Sequence, residues 1–270
     1  MKLIQVNSNH HQISALNRAF QFGDGHFTTL LIKNQQIQLW AYHKARLKQA
    51  NTRLFFPRFG FKQLEQQLSI IANNKTTPQI VKILVSRGQS QRGYAIPNDI
   101  EAEVFLYCSD YHSTHFKYPS GIDLAVLKTQ TAQQADLAGL KHCNRLEQVL
   151  IKRELSQLMQ TDGLVLDRQQ HIIETSLANI FLYINHQWCT PSLELSGVEG
   201  VMRAYVLDWF KQQNVNCQIR PIAVNELAQT QAGFITNALL GCTPIAQIAN
   251  QEFDLTLSQQ FVEPVNETIF

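Results

Sequence analysis

Lys141-His142-Cys143-Asn144-Arg145-Leu146-Glu147-Gln148-Val149-Leu150 puts an amine in front of a segment with helical periodicity. Leu146, Val149 and Leu150, followed by Ile151, Leu155 and Leu158, predict an amphipathic helix with these side chains on its inward stripe. A lysine at the junction of a strand and such a helix can form a Schiff base when its neighbours stabilise the neutral amine. Alone, a lysine is far more often a solvated surface group, because its charge is costly to bury. The rest of the chain has to supply the chemistry.

Downstream of this segment, Gly163–Leu166 and His171–Glu174 read as strands flanking the polar turn Asp167-Arg168-Gln169-Gln170, and Ile180–Ile184 as another. Gly197-Val198-Glu199-Gly200 leads into a helix with Met202, Tyr205, Val206 and Trp209 on its apolar face. Upstream, Ile122–Leu127 is strand-like. Phe27–Ile32 and Gln36–Trp40 predict a strand pair joined at Lys33-Asn34-Gln35. Helices are predicted over Ala41–Leu54 and Lys62–Ala72, and strands over Gln79–Ser86 and Glu101–Cys108, with a polar loop carrying Arg87, Arg92 and Tyr94 between those strands. The chain turns polar and irregular between Ser109 and Gly121. That break predicts a smaller N-terminal α/β domain over 1–110, a linker over 111–121 and a larger domain over 122–270. The class is α+β or α/β with mixed sheets, two domains and a site between them.

The 270 residues are 44% hydrophobic and 16% charged, as expected of a globular chain. A formal net charge of +2 with no basic block argues against nucleic acid as a partner. No run is long enough to cross a bilayer, and the N-terminus turns polar after six residues, unlike a signal peptide. The five cysteines form no Cys-x-x-Cys pair and no metal pattern. A soluble cytoplasmic protein with reduced thiols is the expectation.

Four other places could carry chemistry, and each has a plainer explanation. Gly23-Asp24-Gly25 is a tight turn feeding a strand, whose Thr28 and Thr29 are either β-formers or hydroxyls at a pocket floor. Arg46 shares a helix face with His43, either in an exposed ion pair or as a clamp on phosphate or carboxylate. Gly197-Val198-Glu199-Gly200 is a helix cap or, through its amides and the helix dipole, a phosphate cradle. Glu174 is a surface acid at a strand end, or an inward carboxylate needing a protonated partner such as a ring nitrogen. Phosphate donors, a reactive lysine and a carboxylate for a ring nitrogen together describe a pyridoxal phosphate site.

On these residues the chain resembles the fold-type IV pyridoxal phosphate enzymes, which include branched-chain and D-amino acid aminotransferases and aminodeoxychorismate lyases. The resemblance runs through Phe22-Gly23-Asp24-Gly25-His26-Phe27-Thr28-Thr29, Ser86-Arg87-Gly88 with Arg92-Gly93-Tyr94, Lys141–Leu150, Gly197–Arg203 and Asn237-Ala238-Leu239, in family order. Asn144–Val149 after the lysine is similar to the lyases rather than the aminotransferases. Gln89-Ser90-Gln91 is less glycine-rich than the family loop, and Cys143 stands where an aliphatic residue is common.

The resemblance implies that Lys141 anchors pyridoxal 5'-phosphate, Arg46 binds its phosphate and Glu174 pairs with its ring nitrogen. Amides of Val198 and Glu199 complete the cradle, with Asn237 and Ala238 nearby. Arg92 and Thr28 are implied on the substrate, and Thr29 in proton transfer with Lys141. The implied reaction converts 4-amino-4-deoxychorismate to 4-aminobenzoate and pyruvate in folate biosynthesis, in a homodimer. The alternatives are a D-amino acid or branched-chain aminotransferase, and a non-catalytic interaction protein on the same scaffold.

Overall fold

The computed structural model describes residues 2–6, 13–112, 118 and 120–269. Most of the predicted 111–121 linker, including Ser113, Thr114, His115 and Pro119, lies outside the described residues. The chain divides into two compact units, Met1–His115 with Leu140–Asn144, and Phe116–Gly139 with Arg145–Phe270. The segment bearing Lys141 thus belongs to the first unit, although it lies well past residue 121 in sequence.

The first unit contains β1 (Lys2–Val6), α1 (Arg18–Phe22), β2 (Gly25–Lys33), β3 (Gln36–Ile37), α2 (Trp40–Arg53), α3 (Phe61–Asn74), β4 (Gln79–Ser86) and β5 (Glu103–Asp110). Its strands form an antiparallel sheet in the order β1-β5-β4-β2-β3. β3 is shorter than predicted, and Trp40 opens α2 instead of closing a strand. Asn34 and Gln35 both have positive φ, which gives the tight two-residue hairpin whose twist suits the flanking strands.

Alternation along β2 sends His26, Thr28, Leu30 and Ile32 to one face and Phe27, Thr29, Leu31 and Lys33 to the other. The first face meets Leu47 of α2 and Leu64, Leu68 and Ile71 of α3 in the unit's core. His43, Arg46, Leu47 and Ala50 are the buried residues of α2, a spacing of three and four that turns one stripe to the sheet. Arg46 therefore belongs to the interior of this unit and not to an exposed ion pair.

The second unit contains β6 (Ile122–Val126), α4 (Leu146–Leu158), β7 (Asp162–Leu166), β8 (Ile172–Thr175), β9 (Asn179–Ile184), β10 (Gln187–Pro191), α5 (Val201–Gln212), β11 (Cys217–Arg220), a 3-10 turn over Val224–Gln229, β12 (Thr230–Asn237), β13 (Gly241–Ile248), β14 (Gln251–Glu252) and α6 (Leu255–Glu267). Its mixed sheet runs β11-β10-β9-β12-β13-β6-β7-β8, with β14 on β13. One face buries Ile180, Leu182, Ile235 and Ile245. The other stacks Phe181 on Phe234 at 4.9 Å and carries Trp188 against Phe210 of α5 and Phe261 of α6.

The helix after Lys141 starts later and turns differently from its prediction. α4 begins at Leu146, and only Ile151 and Leu155 of the expected stripe are buried. Leu146, Val149 and Leu150 are instead 79%, 61% and 52% exposed, and Leu158 is exposed as well. Periodicity located an apolar stripe but could not say whether this unit's core or another surface covers it.

Candidate active site

Lys141 is not in the helix but in an extended segment laid along the start of β2. The Phe27 N–H donates to the Lys141 carbonyl at 2.8 Å, the Cys143 N–H donates to the Gly25 carbonyl at 2.8 Å, and His142 bridges to His26. The Gly-Asp-Gly turn makes room for this addition. A side chain at Gly25 would meet Val85, Cys143 and Ala19 within about 3 Å, and one at Gly23, whose φ is +67°, would strike the Asn144 carboxamide. Asn144 after the lysine and glycine in the turn are thus two sides of one contact. The Lys141 Nζ lies 5.0 Å from the centroid of the Phe27 ring, and Lys82 reaches the same ring at 4.3 Å.

Thr28 and Thr29 part company here. Thr29 is half-buried on the face of β2 that carries Phe27, opposite Lys82 on β4. Thr28 is fully buried on the other face, where its Oγ1 accepts from an Arg46 Nη and lies 2.6 Å from His43 Nδ1. Burial first and the Arg46 charge second hold the His43 pKa well below its ordinary 6.5, so its ring is neutral. Thr28 Oγ1 thus links the guanidinium, which can only donate, to the neutral His43 ring. The arrangement satisfies the buried Thr28 hydroxyl and holds the guanidinium.

His26, next on that face, has its Nε2 2.7 Å from Asn51 Oδ1 and its pKa depressed to about 4. Burial is the main cause, with Arg46 and Arg87 adding to it against the Asn51 hydrogen bond.

In the second unit the Glu174 Oε2 accepts from the Val198 N–H at 2.9 Å, so these two predicted residues are together. The Glu199 N–H donates to the Gly139 carbonyl at 2.9 Å. Both amides expected to hold phosphate therefore have acceptors in the protein, and a phosphate there would have to exchange with them. Asn179, the first residue of β9 and just before the predicted strand Ile180–Ile184, clamps the turn at both ends. Its Nδ2 donates to the Val198 carbonyl at 2.8 Å, and its Oδ1 accepts from the Gly200 N–H at 3.0 Å. A side chain at Gly200 would fall on that Asn179 oxygen, which explains glycine before α5. Arg203 of α5 is buried on Thr190 and the Pro191 carbonyl and anchors the helix start to β10.

Asn237 closes the β12–β13 hairpin, its Oδ1 accepting from the N–H groups of Leu239 and Leu240 across the Ala238 turn, and its Nδ2 donates to the Leu177 carbonyl at 3.2 Å. Arg92 is solvent-exposed on the loop between β4 and β5.

Each unit holds groups whose chemistry suits a part of a phosphorylated pyridine aldehyde. The first unit holds an aimed guanidinium and an amine beside an aromatic ring. The second holds a carboxylate at a glycine turn that opens a helix, where the positive end of the dipole favours an anion. A side chain at Gly197, whose φ is +84°, would stand 3.6 Å from the Glu174 carboxylate and clash with Ile173 and Leu193, so the turn requires glycine beside that carboxylate.

The amino-transferase class IV family matches residues 25–248, most of the chain. The protein belongs to that family. Among class IV relatives it is 34% identical to the aminodeoxychorismate lyase of Vibrio harveyi over 87% of both chains. A D-alanine aminotransferase of Listeria monocytogenes is 22% identical over 86% of this chain and 81% of its own. The crystal structure of 4-amino-4-deoxychorismate lyase from Pseudomonas aeruginosa superposes with a TM-score of 0.90 at 29% identity, covering 98% of each chain.

Proposed function

We propose that this protein is a pyridoxal phosphate-dependent lyase that converts 4-amino-4-deoxychorismate to 4-aminobenzoate and pyruvate, a step of folate biosynthesis. The observation that carries this reading is the likeness to the Vibrio lyase along nearly the whole of both chains. The aminotransferase relatives are more distant.

When bound, the cofactor of this family takes up the electron pair left when the amine-bearing carbon of the substrate loses its proton. Lys141 is the covalent anchor and, once released, its Nζ accepts that proton. The Thr29 hydroxyl, on the Phe27 face of β2, assists proton transfer to the departing enolpyruvyl oxygen. Arg46, aimed by Thr28, binds the phosphate, and Glu174 keeps the ring nitrogen protonated. Val198 and Glu199 contribute amides by exchanging the Glu174 and Gly139 acceptors, with Asn237 and Ala238 alongside. Arg92 receives a substrate carboxylate in its guanidinium fork. We assign Thr28 to holding Arg46 and not to the substrate, because its hydroxyl is buried between Arg46 and His43.

Release of 4-aminobenzoate and pyruvate from 4-amino-4-deoxychorismate by the cofactor-loaded protein tests the reading. Exchange of amino groups between amino acids and 2-oxo acids with no 4-aminobenzoate formed would turn the assignment to an aminotransferase.

We also propose a homodimer in the cytoplasm. The exposed Leu146, Val149 and Leu150 on α4 form an apolar stripe of the kind a two-fold partner covers. No helix among the described residues is long and apolar enough to cross a membrane. Light scattering should give twice the chain mass and a lower mass for Val149→Glu; a monomeric wild-type protein would exclude the dimer.

A further inference from the structure

The mechanism above leaves unused a buried cluster in the first unit, Arg18, Asp24 and Arg87. The Asp24 carboxylate accepts from Arg18 Nε at 2.8 Å and from Arg87 Nε at 2.8 and 3.0 Å. Arg87 spends its remaining nitrogens on the carbonyls of Phe55 and Leu54, each at 2.8 Å, and its guanidinium lies 4.2 Å over the Phe56 ring. Arg18 does something else. Its Nη1 donates to Ser90 Oγ at 2.8 Å, to the Ala95 carbonyl at 3.1 Å and more weakly to that of Gly93, and its Nη2 donates to the Tyr94 carbonyl at 3.0 Å. One guanidinium thus holds three consecutive carbonyls of the loop between β4 and β5, plus a hydroxyl at the loop's start.

Two further contacts fasten the same loop. The Arg18 N–H donates to the Gly88 carbonyl at 2.8 Å, and Phe22 of α1 lies between the Arg18 guanidinium and the Tyr94 ring, about 5.2 Å from each. The loop has no ladder of its own over residues 91–96, and Arg92 and Tyr94 are exposed on it. Loops without internal hydrogen bonds open readily, so a buried charged donor beneath this one sets how often it does.

We propose that Arg18 is a positioning residue for substrate recognition, fixing the loop over 88–96 so that Arg92 is presented in one conformation to an anionic substrate. This rests on the reading of the loop as the substrate-carboxylate side, and the test separates the two.

In cofactor-saturated enzyme, trypsin cleavage after Arg92, followed by mass spectrometry, reports loop opening whatever the reaction is. Arg18→Met should speed that cleavage by ~10-fold or more, as loss of charge-assisted hydrogen bonds implies. It should raise KM for 4-amino-4-deoxychorismate by ~10-fold while kcat falls less than about threefold and the absorbance of the bound cofactor is unchanged. Ser90→Ala, which removes one acceptor and keeps the fold, should move cleavage and KM in the same direction by a smaller factor, and Arg18→Lys should fall between wild type and Arg18→Met. Unchanged cleavage in Ser90→Ala and both Arg18 variants would overturn the clamp. Faster cleavage with unchanged KM would overturn the recognition role alone. A wild-type enzyme without lyase turnover would overturn the proposed reaction while leaving the proteolysis as the test of the clamp.

Discussion

The two faces of β2 treat adjacent threonines in opposite ways. On the helix-packed face Thr28 is sealed between Arg46 and His43, and every polar group there is neutral or aimed. On the other face Thr29 is half-buried beside Phe27, whose ring carries Lys141 and Lys82. The difference teaches that strand alternation can separate a sealed face from a half-exposed one, which the proposed function reads as a holding side and a reacting side. On the helix-packed face a buried hydroxyl holds a cation. The reacting side keeps its groups half-exposed.

That division can be broken experimentally, most forcefully at Lys141. Lys141→Ala should lower kcat by ~1000-fold or more, since it removes both the anchor and the base. Borohydride reduction followed by peptide mapping should place the cofactor on Lys141 in wild type and nowhere in the variant. A cofactor still trapped covalently in Lys141→Ala would end its role as anchor.

The threonine pair comes next. Thr29→Val should lower kcat by ~100-fold with cofactor affinity within a factor of about two, the pattern of a lost proton-transfer partner. Thr28→Val should do the reverse. Without its acceptor Arg46 loses its aim, so cofactor affinity should weaken by ~10-fold while kcat at saturating cofactor changes less than about threefold. If both variants lose kcat equally, the division between the faces is wrong.

Much of this was legible in the sequence, and the limits have physical reasons. Helices α2 and α3 follow from periodicity, because each turns one buried stripe to the core, and strands β2, β4, β7 and β9 follow from apolar runs bounded by turn residues. The class IV likeness, with its lysine, glycine turn and carboxylate, also follows from local motifs. Three features needed the fold. The Thr28 partner is Arg46, 18 positions away, and no local pattern records that pairing. Asn179 stands just before a predicted strand, and its part in the turn shows only when Gly200 is seen against it. The stripe on α4 has a clear period, yet its exposure depends on what else packs nearby. Hydrogen bonds across long sequence separations are specified by topology, so a single sequence shows the residues and hides the pairs.

The smallest expected effect is a pH dependence of stability that belongs to the sealed face. His26 drops from its ordinary 6.5 to about 4 through burial, and His43 drops well below 6.5 for the same reason. Both pKa values are depressed on folding, so between pH 6.5 and 4 the unfolded chain binds protons that the folded chain refuses. The sign follows: stability is highest above 6.5 and falls as pH drops towards 4. Carboxylates with depressed pKa values, such as Asp167 and Glu226, add to the loss only as the pH approaches their own ordinary range near 4. Urea unfolding at intervals from pH 7 to 5 should therefore show a falling midpoint. His26→Gln, which keeps an amide for Asn51, should flatten the dependence by up to one proton, about 1.4 kcal/mol per pH unit. Thr29→Val, on the other face, should leave the slope as it is. Equal slopes in wild type and His26→Gln would mean that His26 is protonated in the folded protein and that this face of β2 is not sealed.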